Sequence, residues 1–209
     1  MNINYDQLKK IHKTLNDFPK AKLQIVTKNR NIEIIRELID NGYQLFGENK
    51  VQEAKEKFKN ISNPNIELHL IGPLQTNKVK SAIQLFDAIQ SIDRIKLVQE
   101  IIKHRNKTIF KTKSFYIQIN IGKESQKSGV HPDQLAGLYE FCNKNNLHVK
   151  GLMCIPPVDN SPEIHFKQMI VLRNSLDPKL ELSMGMSGDY KLALDCGSNL
   201  VRVGSRIFN

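Results

Sequence analysis

Eight times along 209 residues, a short apolar run gives way to a helical pattern before the next run begins. That rhythm constrains the fold more than any other feature of the chain, because strands separated by helices pair in parallel. Lys22–Lys28 (KLQIVTK) reads as the first strand, followed by a helix over Ile32–Asn41 that Gly42 stops. Tyr43–Phe46 reads as the second strand, with a helix from Asn49 to Lys59, and Glu67–Ile71 as the third, with a helix over Asn77–Phe86. Asp87–Gln90 makes a short fourth strand, and Asp93 is expected to cap a helix reaching His104.

The second half repeats the pattern. Ser114–Ile121 (SFYIQINI) is the clearest strand, rich in aromatic and β-branched residues. Pro132 opens a helix to Asn143, His148–Ile155 is the sixth strand, and Pro162 starts a helix to Ser175. Glu181–Met184, a short helix over Asp189–Asp195 and Asn199–Gly204 complete eight units, and a further helix over Tyr5–Asn16 precedes the first strand. The expected fold class is α/β: a single (β/α)8 TIM barrel over residues 1–209, with an open doubly wound sheet as the alternative. In a barrel, chemistry sits on the loops that follow the strands.

Composition narrows the function classes. No stretch approaches the ~20 apolar residues that span a bilayer, and the polar N-terminus lacks the apolar core of a secretory signal. No membrane association and a cytoplasmic location are therefore expected. Cys142, Cys154 and Cys196 are far apart and without C-x-x-C spacing, so each reads as a small buried hydrophobe. The histidines show no H-x-x-x-H or H-x-H spacing, and no metal is expected. A formal charge of +10 invites a nucleic-acid reading, but the basic residues run the whole length of the chain. Lys103–Lys113, the densest cluster, carries only Phe110 as a stacking aromatic, so a solvated basic surface is expected instead.

Three places in the sequence carry chemistry. Lys28 closes the first strand, where it reads either as an ordinary solvated lysine, the commoner fate, or as one projecting into the barrel mouth, desolvated enough to attack an aldehyde. Met184–Gly188 and Gly204–Ser205 follow the seventh and eighth strands, where barrels commonly place a phosphate. Arg202 is odd within Leu200–Val203, since a charge in a central strand requires a partner. It shares parity with Gly204, so both face the cavity if either does.

These stretches resemble the pyridoxal phosphate homeostasis protein family over nearly the whole chain, in the correct order. The resemblance rests on VTK (Val26–Lys28), FGENKVQEA (Phe46–Ala54), HLIGPLQTNK (His69–Lys78), KSG (Lys127–Gly129) and GLMCIPP (Gly151–Pro157). SMGMSGD (Ser183–Asp189) and VRVGSRIF (Val201–Phe208) complete it. It implies the fold-type III barrel of the alanine racemases, with pyridoxal 5′-phosphate held as a Schiff base on Lys28. By the same resemblance Asn49 borders the cofactor, Ser187, Gly204 and Ser205 hold its phosphate, and Arg202 faces the pyridine nitrogen. Ser205 stands where the family has threonine but keeps the hydroxyl. Gly188, often acidic in the family, and the chain end at Asn209 are further departures.

A cationic Arg202 beside the ring nitrogen disfavours pyridinium and weakens the ring as an electron sink. The resemblance therefore implies a non-catalytic carrier of the cofactor, with PLP-dependent apo-enzymes as partners. An amino-acid racemase is the alternative. The resembling racemases place a tyrosine acid/base on a second, β-rich domain. Such a domain is not expected four residues after Ser205, and a monomer is expected with it. Lys127, in the loop after the fifth strand, is the substitute if Lys28 does not carry the cofactor.

Overall fold

The structure is a computed structural model that describes residues 2–158 and 162–208. Eight parallel strands, β1 to β8, close into a barrel in chain order, with β1 hydrogen-bonded to both β2 and β8. The open doubly wound sheet is thereby excluded. The strands are β1 (Lys22–Val26), β2 (Leu45–Glu48), β3 (Glu67–Leu70), β4 (Ala88–Ile92), β5 (Ser114–Ile119), β6 (Val149–Cys154), β7 (Glu181–Ser183) and β8 (Leu200–Val203). The helices are α1 (Tyr5–Leu15), α2 (Ile32–Asp40), α3 (Val51–Phe58), α4 (Val79–Leu85), α5 (Ile95–Arg105), α6 (Leu135–Lys144), α7 (Pro162–Leu176) and α8 (Tyr190–Asp195). Short 3₁₀ turns at Thr76–Lys78 and Pro132–Gln134 lead into α4 and α6.

Strand parity sorts the chain into two environments. Ile25, Phe46, Leu68, Ile89, Ile117, Leu152, Leu182 and Val201 are fully or almost fully buried and belong to the apolar core shared with the helices. The helices answer with Ile34, Ile35 and Leu38 on α2 and Leu97, Val98 and Ile101 on α5, spaced to fall on one face. Each such side chain contributes roughly 1.5–3 kcal/mol on burial. α1 is tied to the chain's other end by the Asn4 amide donating to the Ile207 carbonyl and by an Ile3–Phe208 bridge.

The opposite parity is polar. Gln24, His69, Gln90, Ser183 and Arg202 are buried in one directional hydrogen-bonded chain. Arg202 Nη1 donates to Ser183 Oγ (2.7 Å), and Ser183 Oγ donates to Gln90 Oε1 (2.6 Å). Gln90 Nε2 donates to His69 Nδ1 (2.7 Å) and to Gln24 Oε1 (3.1 Å). With Nδ1 accepting, His69 Nε2 carries the proton that meets Glu67 Oε1 at 2.8 Å. A polar core at this density holds only because each group finds a partner.

Three local expectations are corrected. β2 lies two residues later than read, because Gly42 (φ 85°) and the Tyr43 amide, which donates to the Leu38 carbonyl, spend the early residues on closing α2. Asp93 does not cap α5: its side chain pairs with Arg94 Nη1 at 2.5 Å, and Arg94 occupies the cap without a side-chain bond. β1 ends at Val26, so Lys28 stands in the turn above the rim, exposed rather than desolvated.

The cysteines are buried as expected. Burial pushes the Cys142 and Cys154 thiols up to about 12, so neither is a nucleophile at neutral pH. No helix among the described residues is long and apolar enough to cross a membrane. Those residues also hold no group of three His, Cys, Asp or Glu side chains fit for a metal.

Candidate functional site

Beyond the C-terminal ends of the strands, the inward parity continues into a cavity of about 510 Å³. Val26 and Lys28 follow Gln24, Ile71 follows His69, and Gly204 follows Arg202. All six residues expected from the sequence line this one cavity: Lys28, Asn49, Ser187, Arg202, Gly204 and Ser205. They come from the loops after β1, β2 and β7 and from β8 with its loop. A larger cleft, about 710 Å³, opens at the other end of the barrel between Phe18, Lys20, Arg173 and Asn199. That end of a barrel serves stability, which makes the mouth the candidate site.

Arg202 forms the floor. It is buried, with Nη1 on Ser183 Oγ and Nη2 on the Cys154 carbonyl, each at 2.7 Å. Burial pushes its guanidinium below the ordinary value, opposed by Cys154 and Asp189, but an arginine stays charged in a folded protein. No carboxylate among the described residues forms an ion pair with it. A buried cation held only by neutral acceptors leaves a positive field in the cavity.

The wall made by β7, β8 and their loops gathers backbone donors around one hydroxyl. The backbone amides of Gly204 and Arg206 converge on Ser187 Oγ, at 3.4 and 3.3 Å. Arg206 Nη1 also donates to the Ser187 carbonyl at 2.7 Å, which fixes the loop from behind. Two amides of one loop pointing at one spot are the kind of arrangement that binds phosphate. Ser205 is exposed on its rim.

Asn49, in the loop after β2, supplies another part of the wall. Its Oδ1 is buried without a hydrogen-bond partner, a costly arrangement unless a ligand or water donates to it. Gly72 is pressed against the Asn49 backbone: a Cβ there would lie 2.1 Å from the Asn49 carbonyl oxygen. Only glycine lets the loop after β3 approach so closely.

The sequence reading passed over Gly72, Arg206 and the apolar lining residues Ile71, Ile155 and Met186. It also passed over a charged cluster behind Lys28, where Lys57 Nζ lies 2.9 Å from Glu48 Oε1 and 2.5 Å from Glu53 Oε1. The i,i+4 spacing of Glu53 and Lys57 was a visible signal; the burial of Glu48 was not. Lys127, the substitute lysine, pairs with Glu124 at 2.6 Å and does not line the cavity.

A (β/α)8 barrel with a lysine, an anion cup and a buried cation at its mouth defines a class of cofactor-binding barrels. Residues 3–209 match the family model described as "Alanine racemase, N-terminal domain". The chain is 38% identical to the pyridoxal phosphate homeostasis protein of Aquifex aeolicus over 197 residues, 90% of this chain and 86% of the relative. It is 39% identical to the protein of the same name from Pasteurella multocida over 200 residues, 90% of this chain and 85% of the relative. The structure of PipY from Synechococcus elongatus PCC7942 with PLP bound superposes with a TM-score of 0.80 at 30% identity, covering 95% of this chain and 100% of PipY. Alanine racemase from Corynebacterium glutamicum shares the fold (TM-score 0.64, 20% identity), with 88% of this chain matching 54% of the racemase. The chain belongs to the alanine racemase N-terminal domain family and, within it, to the pyridoxal phosphate homeostasis proteins.

Proposed function

We propose that the barrel mouth holds pyridoxal 5′-phosphate as a Schiff base on Lys28 and that the protein stores and hands on this cofactor without turning over amino acids. The observation that carries the reading is the convergence of Lys28, Asn49, Ser187, Arg202, Gly204 and Ser205 on one cavity. The residues fit the group: an amine for the aldehyde, two inward amides for the phosphate, an unpartnered acceptor at Asn49 and a cation on the floor. When bound, the cofactor supplies a reactive aldehyde and an electron-withdrawing ring.

This chain's residues divide the remaining work. Lys28 would hold the aldehyde covalently through Nζ, the carbonyl oxygen departing as water with both amine hydrogens, and hydrolysis would release it. The amides of Gly204 and Arg206, with the hydroxyls of Ser187 and Ser205, hold the dianion. Arg202 would lie by the ring nitrogen, where its charge would disfavour protonation and weaken the ring as an electron sink.

The non-catalytic half of the reading has its own support. Lys28 and Arg202 are the ionisable side chains among the described residues lining the cavity. Among the described residues lining the cavity, no histidine, carboxylate, tyrosine or thiol stands by the lysine, and a missing general acid or base typically costs about 10²–10⁴-fold. The relatives' name, homeostasis protein, agrees with it. The test follows borohydride reduction with peptide mapping, then cofactor transfer to a PLP-dependent apo-enzyme alongside assays of racemisation, transamination and decarboxylation. The expected adduct is on Lys28, absent from Lys28→Ala, with transfer and without turnover. An adduct mainly on another lysine overturns the site, and turnover above about 1 s⁻¹, the lower end of ordinary enzyme rates, overturns the carrier role.

A further inference from the structure

We propose that Lys57 on α3 is a positioning residue for Lys28, so that the speed of aldehyde capture depends on a charge outside the cavity. The proposal rests on the reading of Lys28 given above. Lys28 is exposed in a turn two residues past the end of β1, where a lone strand terminus would leave its amine free to sweep a wide volume. Both of its neighbours are instead clamped from behind.

Thr27 is buried, with its amide on the Gly47 carbonyl (3.0 Å), its hydroxyl donating to Glu48 Oε1 (2.7 Å) and its carbonyl accepting from Lys57 Nζ (2.8 Å). Asn29 has φ 58°, a left-handed conformation uncommon outside glycine. Its amide donates to Glu53 Oε1 at 2.6 Å. Lys57 joins the two sides. Its three ammonium donors meet three acceptors: the Thr27 carbonyl, Glu48 Oε1 and Glu53 Oε1. Its side chain is 11% exposed, that of Glu48 is fully buried, and neither lines the cavity.

The charge balance makes Lys57 the keystone. Two carboxylates converge on one ammonium, and burial already raises the Glu48 carboxyl above its ordinary value despite the bonds from Lys57 and Thr27. Without the ammonium, Glu48 and Glu53 must repel or take up a proton, and Thr27 and Asn29 lose their shared anchor. The phosphate cup on β7, β8 and their loops takes no part in this cluster. Loss of Lys57 therefore acts on the amine and spares the anion site.

That separation gives the test. Lys57→Met, Lys57→Arg and wild type, each full-length and freed of cofactor, are titrated with pyridoxine 5′-phosphate, which carries an alcohol in place of the aldehyde. They are then mixed rapidly with pyridoxal 5′-phosphate, and the imine absorbance is followed. Lys57→Met is expected to slow imine formation by about ten- to a hundredfold, with affinity for the alcohol within about twofold of wild type and partial recovery in Lys57→Arg. Imine formation at the wild-type rate overturns the proposal. So does an equal loss of both properties, the mark of a merely structural ion cluster. Should Lys57→Met fail to fold, Glu53→Gln keeps the Lys57–Glu48 pair but weakens the hold on Asn29. A slowing of about threefold or more then supports the clamp, and an unchanged rate overturns it. Wild-type protein that forms no adduct on Lys28 overturns the reading of Lys28 itself, an outcome separate from any behaviour of the variants.

Discussion

Ser187→Ala separates the proposed phosphate cup from everything else the loop does. Ser187 Oγ accepts from Gly204 and Arg206 at 3.4 and 3.3 Å, beyond the usual range for N–H···O bonds. Together these contribute less than about 1 kcal/mol. The loop keeps its shape through Arg206 Nη1 on the Ser187 carbonyl (2.7 Å) and the Met186 amide on Asp189 Oδ1 (2.6 Å), and the substitution touches neither. The thermal midpoint should therefore fall by less than about 4 °C. A hydroxyl donating to a phosphate dianion is worth more, about 1.5–3 kcal/mol. At 1.4 kcal/mol per decade that is roughly a 10- to 150-fold loss of affinity. Calorimetric titration of the cofactor-free proteins with pyridoxine 5′-phosphate and with pyridoxine distinguishes the contributions. Only the phosphate ester should bind the variant more weakly. Equal losses for both compounds, or none for either, would refute the assignment of the cup.

Two further outcomes are expected. Gly72→Ala puts a Cβ 2.1 Å from the Asn49 carbonyl oxygen and 2.8 Å from its Cα, so backbone must move by about 1 Å at a cost of about 1–3 kcal/mol. Scanning calorimetry should show a midpoint lower by about 3–10 °C together with weaker cofactor retention; an unchanged midpoint contradicts the packing. Glu67→Gln tests pH dependence, since the hydrogen bond from His69 pulls the Glu67 carboxyl down to about 2 against its burial, helped by the charges of Lys150 and Lys22. A carboxylate depressed below its unfolded value stabilises above about pH 4.5 and loses that effect as pH falls toward 2. The midpoint difference between wild type and Glu67→Gln should be full at about pH 6 and narrow by about pH 3; a gap constant with pH argues against the pair.

The charged residues show where sequence reading stops. Ser114–Ile121 was legible as a strand because the run is rich in aromatic and β-branched residues, and the structure pairs its first six residues. Glu48 was not, because a carboxylate reads as exposed until its partner Lys57, on the next helix, is placed beside it. Arg202 was conspicuous in a strand, but Ser183 and the Cys154 carbonyl, its acceptors, belong to two other strands. The exposure of Lys28 followed from where β1 stops pairing, and periodicity sets such a boundary only loosely.

The sequence by itself determined the alternation of eight strands with helices, the inward parity that Arg202 and Gly204 share, and the family to which its motifs are similar. All three are local properties, read from residues a few positions apart or from continuous blocks. The tertiary structure alone decided barrel closure, the polar chain through the barrel and the clamp behind Lys28. Gln90 bonds Gln24 across 66 positions and Ser183 across 93, and the Lys57 donors reach Thr27 across 30. Contacts of that kind leave no periodic trace, because a buried polar group is tolerable only when a distant partner arrives to satisfy it, and composition does not say which partner that is.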